Sequence, residues 1–171
     1  MTLNDYIKTI DFPLLKMTVT YPSREGRVLL AKKIKQGGLG EGNFLGIGGK
    51  VNPEESFEES ALREVKEEIG IQISELTEMA TVYFYFPHKE AKEMWNMEMK
   101  VFTAEKWKGE PHDTDEMQPR WFKKDTVPFD SMWDDAHYWL PYVLEDKRLE
   151  AHCMYGEDNK TVEEFSIRFL S

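Results

Sequence analysis

The chain has 171 residues, 40% hydrophobic and 13% aromatic, with 22 Lys+Arg against 32 Asp+Glu and a formal charge of -10. Such a composition excludes intrinsic disorder, and the length suits one domain, residues 1–171, with a core large enough to need no disulfide or zinc staple. The acidic excess argues against a nucleic-acid polymer or an anionic membrane surface as partner, because both call for clustered Lys and Arg; carboxylates that hold divalent cations are compatible with it.

The N-terminus to Lys16 is broken by Asp5, Lys8, Asp11 and Pro13 and carries no apolar run of signal-peptide length, so the cytoplasm is the expected compartment. Strands are predicted over 16–21 and 27–31, joined by a turn cluster at 22–26. Residues 36–42 are too rich in glycine for a regular element and read as a loop. A helix follows over 53–69, with Asn52 as N-cap, Pro53 at the first helical position and Gly70 as the C-terminal stop. Strands over 79–86 and 97–103 flank a charged loop at 88–95, and 120–122 forms a short strand. Residues 134–146 read as helical, weakened by Pro141. A hairpin over 148–155 and 161–169 closes the chain, with Phe165, Ile167 and Phe169 on one face. Mixed strands with two helices give an α+β fold, an α/β/α sandwich. Cys153 is the single cysteine, and the four histidines are scattered, so neither a disulfide nor a cysteine-rich zinc site is available.

The 53–69 helix carries the chemistry. At about 100° per residue, Phe57, Ala61, Leu62, Val65 and Ile69 form a core-facing stripe. Glu64, Glu67 and Glu68 stand at i, i+3 and i+4 on a neighbouring stripe, with Glu68 inside the edge of the apolar arc. Three like charges beside a core are unfavourable unless a cation neutralises them. The glycine turn Gly46-Ile-Gly-Gly-Lys50 leads into this helix, giving Gly49-x5-Glu55-x7-Arg63-Glu64-Val65-x-Glu67-Glu68-x-Gly70-Ile71. A chance match to so many fixed positions is on the order of one in 10⁷.

That pattern resembles, at every fixed position, the signature of the Nudix hydrolases, which cleave a diphosphate linked to another group. The resemblance implies a Nudix fold, a mixed β-sheet flanked by helices, and Mg²⁺ as cofactor, with Mn²⁺ as a substitute. It implies Glu64, Glu67 and Glu68 as catalytic metal ligands, joined by a backbone carbonyl of the Gly48-Gly49 turn, with Gly48 named as the ligand. Arg63 is expected to pair with Glu55 and orient the loop against the helix.

Within the family, the chain is similar to the mammalian-type branch that hydrolyses oxidised purine nucleoside triphosphates such as 8-oxo-dGTP, with the likeness densest at 46–51, 115–122 and 127–139. Position by position, Glu116 matches a distal carboxylate of the metal site. Met117, Trp133 and Asp135 match residues that line and read the purine, and Ile47, Gly48, Gly49 and Lys50 match the loop beneath the substrate. Without the resemblance, Trp133 reads as core, Asp134-Asp135 as a helix N-cap and Glu116 as a surface turn residue. Two positions depart from the pattern: Leu45 stands where an Asn contacts the purine, and Ala136 where a second Asp is found. Lys33 and Lys35 are both candidates for a phosphate contact.

The expected partner is a nucleoside triphosphate, bound by a monomer or a homodimer. Alternatives are another Nudix substrate, ADP-ribose or a dinucleoside polyphosphate, and a Nudix-fold module that senses a nucleotide without cleaving it. Glu67→Gln is expected to bind nucleotide and lose at least ~100-fold in turnover, as for removal of a general base or metal ligand. A single-turnover assay that finds an unchanged rate moves that role to another glutamate.

Overall fold

A computed structural model describes residues 1–34 and 42–171. The expected loop at 36–42 and Lys35 therefore lie outside the described residues, save for Gly42. The chain runs α1 (Leu3–Thr9), β1 (Leu15–Arg24), β2 (Arg27–Lys33), β3 (Phe44–Leu45), β4 (Ile47–Lys50), α2 (Phe57–Ile69), β5 (Gln72–Ile73), β6 (Thr77–Tyr85), α3 (Lys92–Trp95), β7 (Met97–Ala104), β8 (Trp107–Lys108), β9 (Met117–Lys123), α4 (Ala136–Leu144), β10 (Leu149–Tyr155) and β11 (Val162–Phe169).

Strand β1 is the hub of the sheet. Its first half pairs in parallel with β7 and antiparallel with β4, and its end turns into β2. The sheet continues β7-β6-β10-β11 on one side, and β2 carries β3 and β9 on the other. The expected turn at 22–26 is shorter than its composition suggests. β1 persists through Arg24, and Glu25-Gly26 reverses the chain with both φ values positive, a two-residue hairpin geometry that matches strand twist.

Both faces of the sheet are covered, as the alternation along β2 records. Val28 and Leu30 join the cluster under α4 with Val82, Trp139, Leu140 and Val143. Leu29 and Ala31 join the cluster under α2 with Ile47, Val65 and Ile69. Four consecutive buried residues thus serve two cores, the pattern of a strand with a layer on each side. The α/β/α sandwich expected from the sequence is the architecture observed. The unforeseen α1 packs Leu3 and Tyr6 on Tyr85 and Met154. Among the described residues, no helix is long and apolar enough to cross a membrane.

Helix α2 begins later than its proline suggests. Pro53 and Glu54 form a turn closed by the Glu55 N–H donating to the Asn52 carbonyl at 3.0 Å. Ser56 is the N-cap: its hydroxyl accepts from the Glu59 N–H at 3.0 Å, and the Glu59 carboxylate accepts from the Ser56 N–H at 3.2 Å. This reciprocal pair satisfies two donors that Asn52, four residues upstream, cannot reach. The C-terminus falls as expected at Gly70, in the left-handed conformation at φ 77°. Ala61, Val65 and Ile69 are fully buried, whereas Leu62 of the expected stripe is 40% exposed. Its place on the buried side is taken by Ser60, whose hydroxyl donates to the Lys50 carbonyl at 3.5 Å.

Further corrections are local. The loop at 88–95 contains the one-turn helix α3, the strand at 120–122 extends over all of β9, and α4 starts at Ala136 and runs through Pro141. The closing hairpin forms with the expected register face: Phe165 and Ile167 pack on the α4 side, and Phe169 meets Tyr142 edge-on at 5.0 Å.

Ser56→Ala is expected to destabilise the protein by about 1 kcal/mol, the usual cost of a lost cap. Asn52→Ala should stay within about 0.5 kcal/mol of the parent. Urea unfolding of the two variants checks where the helix starts.

Candidate active site

The motif arginine gathers the carboxylates. Its guanidinium grips Glu55 with two bonds, Nη2 to Oε1 at 2.6 Å and Nε to Oε2 at 2.8 Å. Nη1 donates to Glu64 Oε1 and Glu67 Oε2, both at 3.1 Å, and Nη2 reaches the Lys50 carbonyl at 3.2 Å. Turn 52–55, the end of β4 and helix α2 therefore meet on one planar fork, a geometry that lysine cannot supply. Hydrogen bonding by Arg63, helped by the Asn52 N–H, holds the Glu55 carboxyl near 2. The expected Arg63–Glu55 pairing is present.

The two glycines before the helix are needed for packing. A Cβ on Gly48 would lie 1.9 Å from the Thr18 carbonyl oxygen of β1, and one on Gly49 would lie 2.7 Å from Glu64 Oε1. Strand β4 can lie against β1, and Glu64 against β4, because neither glycine has a side chain.

Glu68 occupies the most strained electrostatic position. Burial first, then the charge of Glu64 and a hydrogen bond with it, push its carboxyl up to about 8, opposed by the Gly48 N–H and reinforced by Glu116. Its Oε2 is buried without a hydrogen-bond partner. An orphaned carboxylate oxygen beside two further carboxylates is costly as it stands. As an all-oxygen donor set, it fits a hard divalent cation. Among the described residues no three His, Cys, Asp or Glu side chains are already drawn into one ligand cluster. Arg63 occupies one oxygen each of Glu64 and Glu67, and the Glu67 side chain is 60% exposed.

Glu68 and Glu116 open onto a cavity of about 410 Å³. Gly48, Gly49, Lys50, Met117, Trp133 and Asp135 also line it, as does Lys33, one of the two candidate phosphate lysines. Ile47, Glu64 and Glu67 do not. Ile47 is fully buried in the core beneath α2, while Glu64 lies just behind Gly49. Leu45 and Ala136, the two positions that depart from the family pattern, both face the cavity.

Its deep wall is aromatic: Phe84, Phe86, Trp95, Trp139 and Tyr155 were not singled out from sequence. Phe86 stacks on Tyr155 at 4.5 Å between centroids and meets Trp95 edge-on at 5.6 Å. Strand alternation could have flagged Phe84, Phe86 and Tyr155 as inward-facing; Trp95 gave no signal in a charged segment. Asp135 sits at the N-cap position of α4, yet its side chain makes no capping bond. Instead Oδ1 accepts from the Tyr155 hydroxyl at 2.6 Å and Oδ2 from Trp139 Nε1 at 2.8 Å. Burial raises its carboxyl, and these two donors oppose the shift.

Residues 17–143 match the NUDIX domain family model. Over 147 residues the chain is 35% identical to an "Oxidized purine nucleoside triphosphate hydrolase" of Danio rerio, covering 86% of this chain and 90% of that one. A protein of the same description from Mus musculus is 35% identical over 142 residues, covering 83% and 86%. Among solved structures, the MutT protein of Bacillus halodurans superposes with a TM-score of 0.74 at 24% identity, over 90% of this chain and 97% of that one. The last likeness bears on the fold alone.

The Glu68 shift sets a pH dependence for the cation-free protein. Its folded pKa near 8 lies above the ordinary 4.5, so between those values the folded state keeps a proton that the unfolded chain has lost. The contribution of Glu68 to stability therefore falls as pH rises from about 4.5 to about 8. Chemical unfolding across that range in the presence of a chelator should show a decline that Glu68→Gln removes. Equal slopes in the two proteins would contradict the assignment.

Proposed function

The chain belongs to the Nudix hydrolase family, and on that premise we propose that it hydrolyses oxidised purine nucleoside triphosphates, 8-oxo-dGTP among them, to the nucleoside monophosphate and pyrophosphate. The observation that carries this reading is one cavity lined both by the carboxylates Glu68 and Glu116 and by Trp133 with the buried Asp135. A nucleotide needs both kinds of surface, one for phosphates and one for a base. The 35% identity to relatives described as acting on oxidised purine nucleoside triphosphates supports the substrate class.

Nudix hydrolases use divalent metal ions; we assign Mg²⁺, with Mn²⁺ as a substitute, to Glu64, Glu67, Glu68, Glu116 and the Gly48 main chain. When bound, the cation neutralises phosphate charge and lowers the pKa of water. The chain's own residues do the rest. Lys50 and Lys33, both lining the cavity, supply positive charge for the phosphates. Trp133 offers a π-face to the base, a contact worth roughly 1–3 kcal/mol. Glu64, Glu67, Glu68 and Glu116 hold the site's negative charge, and one of them accepts the proton of the attacking water. Arg63 keeps Glu64 and Glu67 in place from the side of the helix.

Incubation with ordinary and oxidised dNTPs and Mg²⁺, with pyrophosphate release measured, tests the proposal. Oxidised purine triphosphates are expected to turn over fastest. The same panel extended to ADP-ribose and a dinucleoside polyphosphate decides between this reading and the alternative Nudix substrates, and no turnover of any triphosphate would sink the assignment.

A further inference from the structure

The base end of the cavity depends on a residue outside every motif. Among the lining residues, Asp135 is charged, while Lys33, Lys50, Glu68 and Glu116 come from β2, β4, α2 and the approach to β9. Leu45 and Ala136, at the positions where the family pattern has polar groups, have no polar side-chain atom. Asp135, which is 6% exposed, is the carboxylate that the α4 end of this lining offers to a base.

How Asp135 can read a base is set by its neighbours. A carboxylate offers about four acceptor sites, and a protonated carboxyl offers one donor in exchange for some of them. Trp139 Nε1 is donor only and takes Oδ2 at 2.8 Å. The Tyr155 hydroxyl lies 2.6 Å from Oδ1, and its own oxygen accepts from the Asp135 N–H at 3.3 Å. That second bond orients the hydroxyl so that its proton points at the carboxylate. Tyr155 is fully buried, with its ring stacked on Phe86 at 4.5 Å and edge-on to Trp133 at 6.2 Å. The hydroxyl is therefore held in place by the packing of its ring.

Resting on the function proposed above, we propose that Tyr155 is a positioning residue for base selectivity, committing Asp135 to act as a hydrogen-bond acceptor. The wall then favours a base that presents ring N1–H and amino N–H donors side by side, as guanine does, over adenine, whose amino donor adjoins an N1 acceptor. Trp139 shares the task but also builds the core beneath α4. Tyr155 contributes one removable oxygen, so its role can be isolated.

Binding of 8-oxo-dGMP and dAMP to the parent, Tyr155→Phe, Asp135→Asn and the double variant is measured by calorimetry, which does not depend on turnover. The parent is expected to prefer 8-oxo-dGMP. Tyr155→Phe should cut that preference about ten-fold, the scale of a hydrogen bond to a charged group. The loss should fall on the guanine-type ligand, with dAMP affinity nearly unchanged. In the Asp135→Asn background the Tyr155→Phe change should have no further effect on the ratio, which a merely structural tyrosine would not produce. Should Tyr155→Phe fold poorly, as circular dichroism would reveal, Asp135→Asn alone must still abolish the preference. An unchanged ratio in Tyr155→Phe, or equal losses for both ligands, overturns the inference while leaving triphosphate hydrolysis intact. Absence of binding by either nucleotide to the parent overturns both.

Discussion

Like charges do not assemble unaided, and here the Arg63 fork is what allows four acidic residues of one motif to share a small volume. It binds Glu55 with two bonds and Glu64 and Glu67 with one each, while also touching the Lys50 carbonyl. One cation thus offsets most of the repulsion along the helix and fastens the preceding turn and strand to it. Glu68 is the carboxylate that Arg63 does not reach, and it is the one whose burial and neighbours drive it toward the protonated form. The arginine balances the outer carboxylates Glu64 and Glu67, and the inner one, Glu68, is left to its burial.

Charge and aromaticity meet because β1 stands between them. Val19 and Tyr21 face the α4 core, the Thr18 carbonyl leaves no room for a side chain on Gly48, and Glu64 leaves none on Gly49. The thinness of the glycine edge brings Glu68, from the helix on the far face, into the same cavity as Phe84, Phe86 and Trp133. A bulkier residue at 48 or 49 would separate two surfaces that a nucleotide has to span.

What could be read from the sequence followed how locally each feature is determined. The glutamate spacing, the glycine turn and the Arg63–Glu55 pair depend on residues within one motif, and strand alternation put Phe165 and Ile167 of β11 on one face. The helix start was misplaced because Asn52-Pro53 and Ser56-x-x-Glu59 are both plausible beginnings, and only the reciprocal hydrogen bonds select the second. Leu62 satisfied the helical period, yet the arc actually covered by the sheet turns toward Ser60 and leaves it at the surface. Tyr155 was invisible for a different reason: its hydroxyl matters through an aspartate twenty positions earlier, and no local pattern links the two. Helix α1 likewise depends on distant partners, Asn96 and Glu164.

That last attachment bears on how the molecule comes to be made. The Leu3 N–H donates to the Glu164 carboxylate across 161 positions, and the Tyr6 hydroxyl donates to Asn96 across 90. β1, the hub strand, also waits for its parallel partner β7, and β6 for β10. Contacts of such high sequence separation carry a large loop-closure cost before they give anything back. Helix α1 has the surface it covers, Tyr85 and Met154, only where β6 and β10 lie side by side. Helix α1 and strand β11 thereby form a seam between segments far apart along the chain, and losing the Glu164 carboxylate would open it at Leu3.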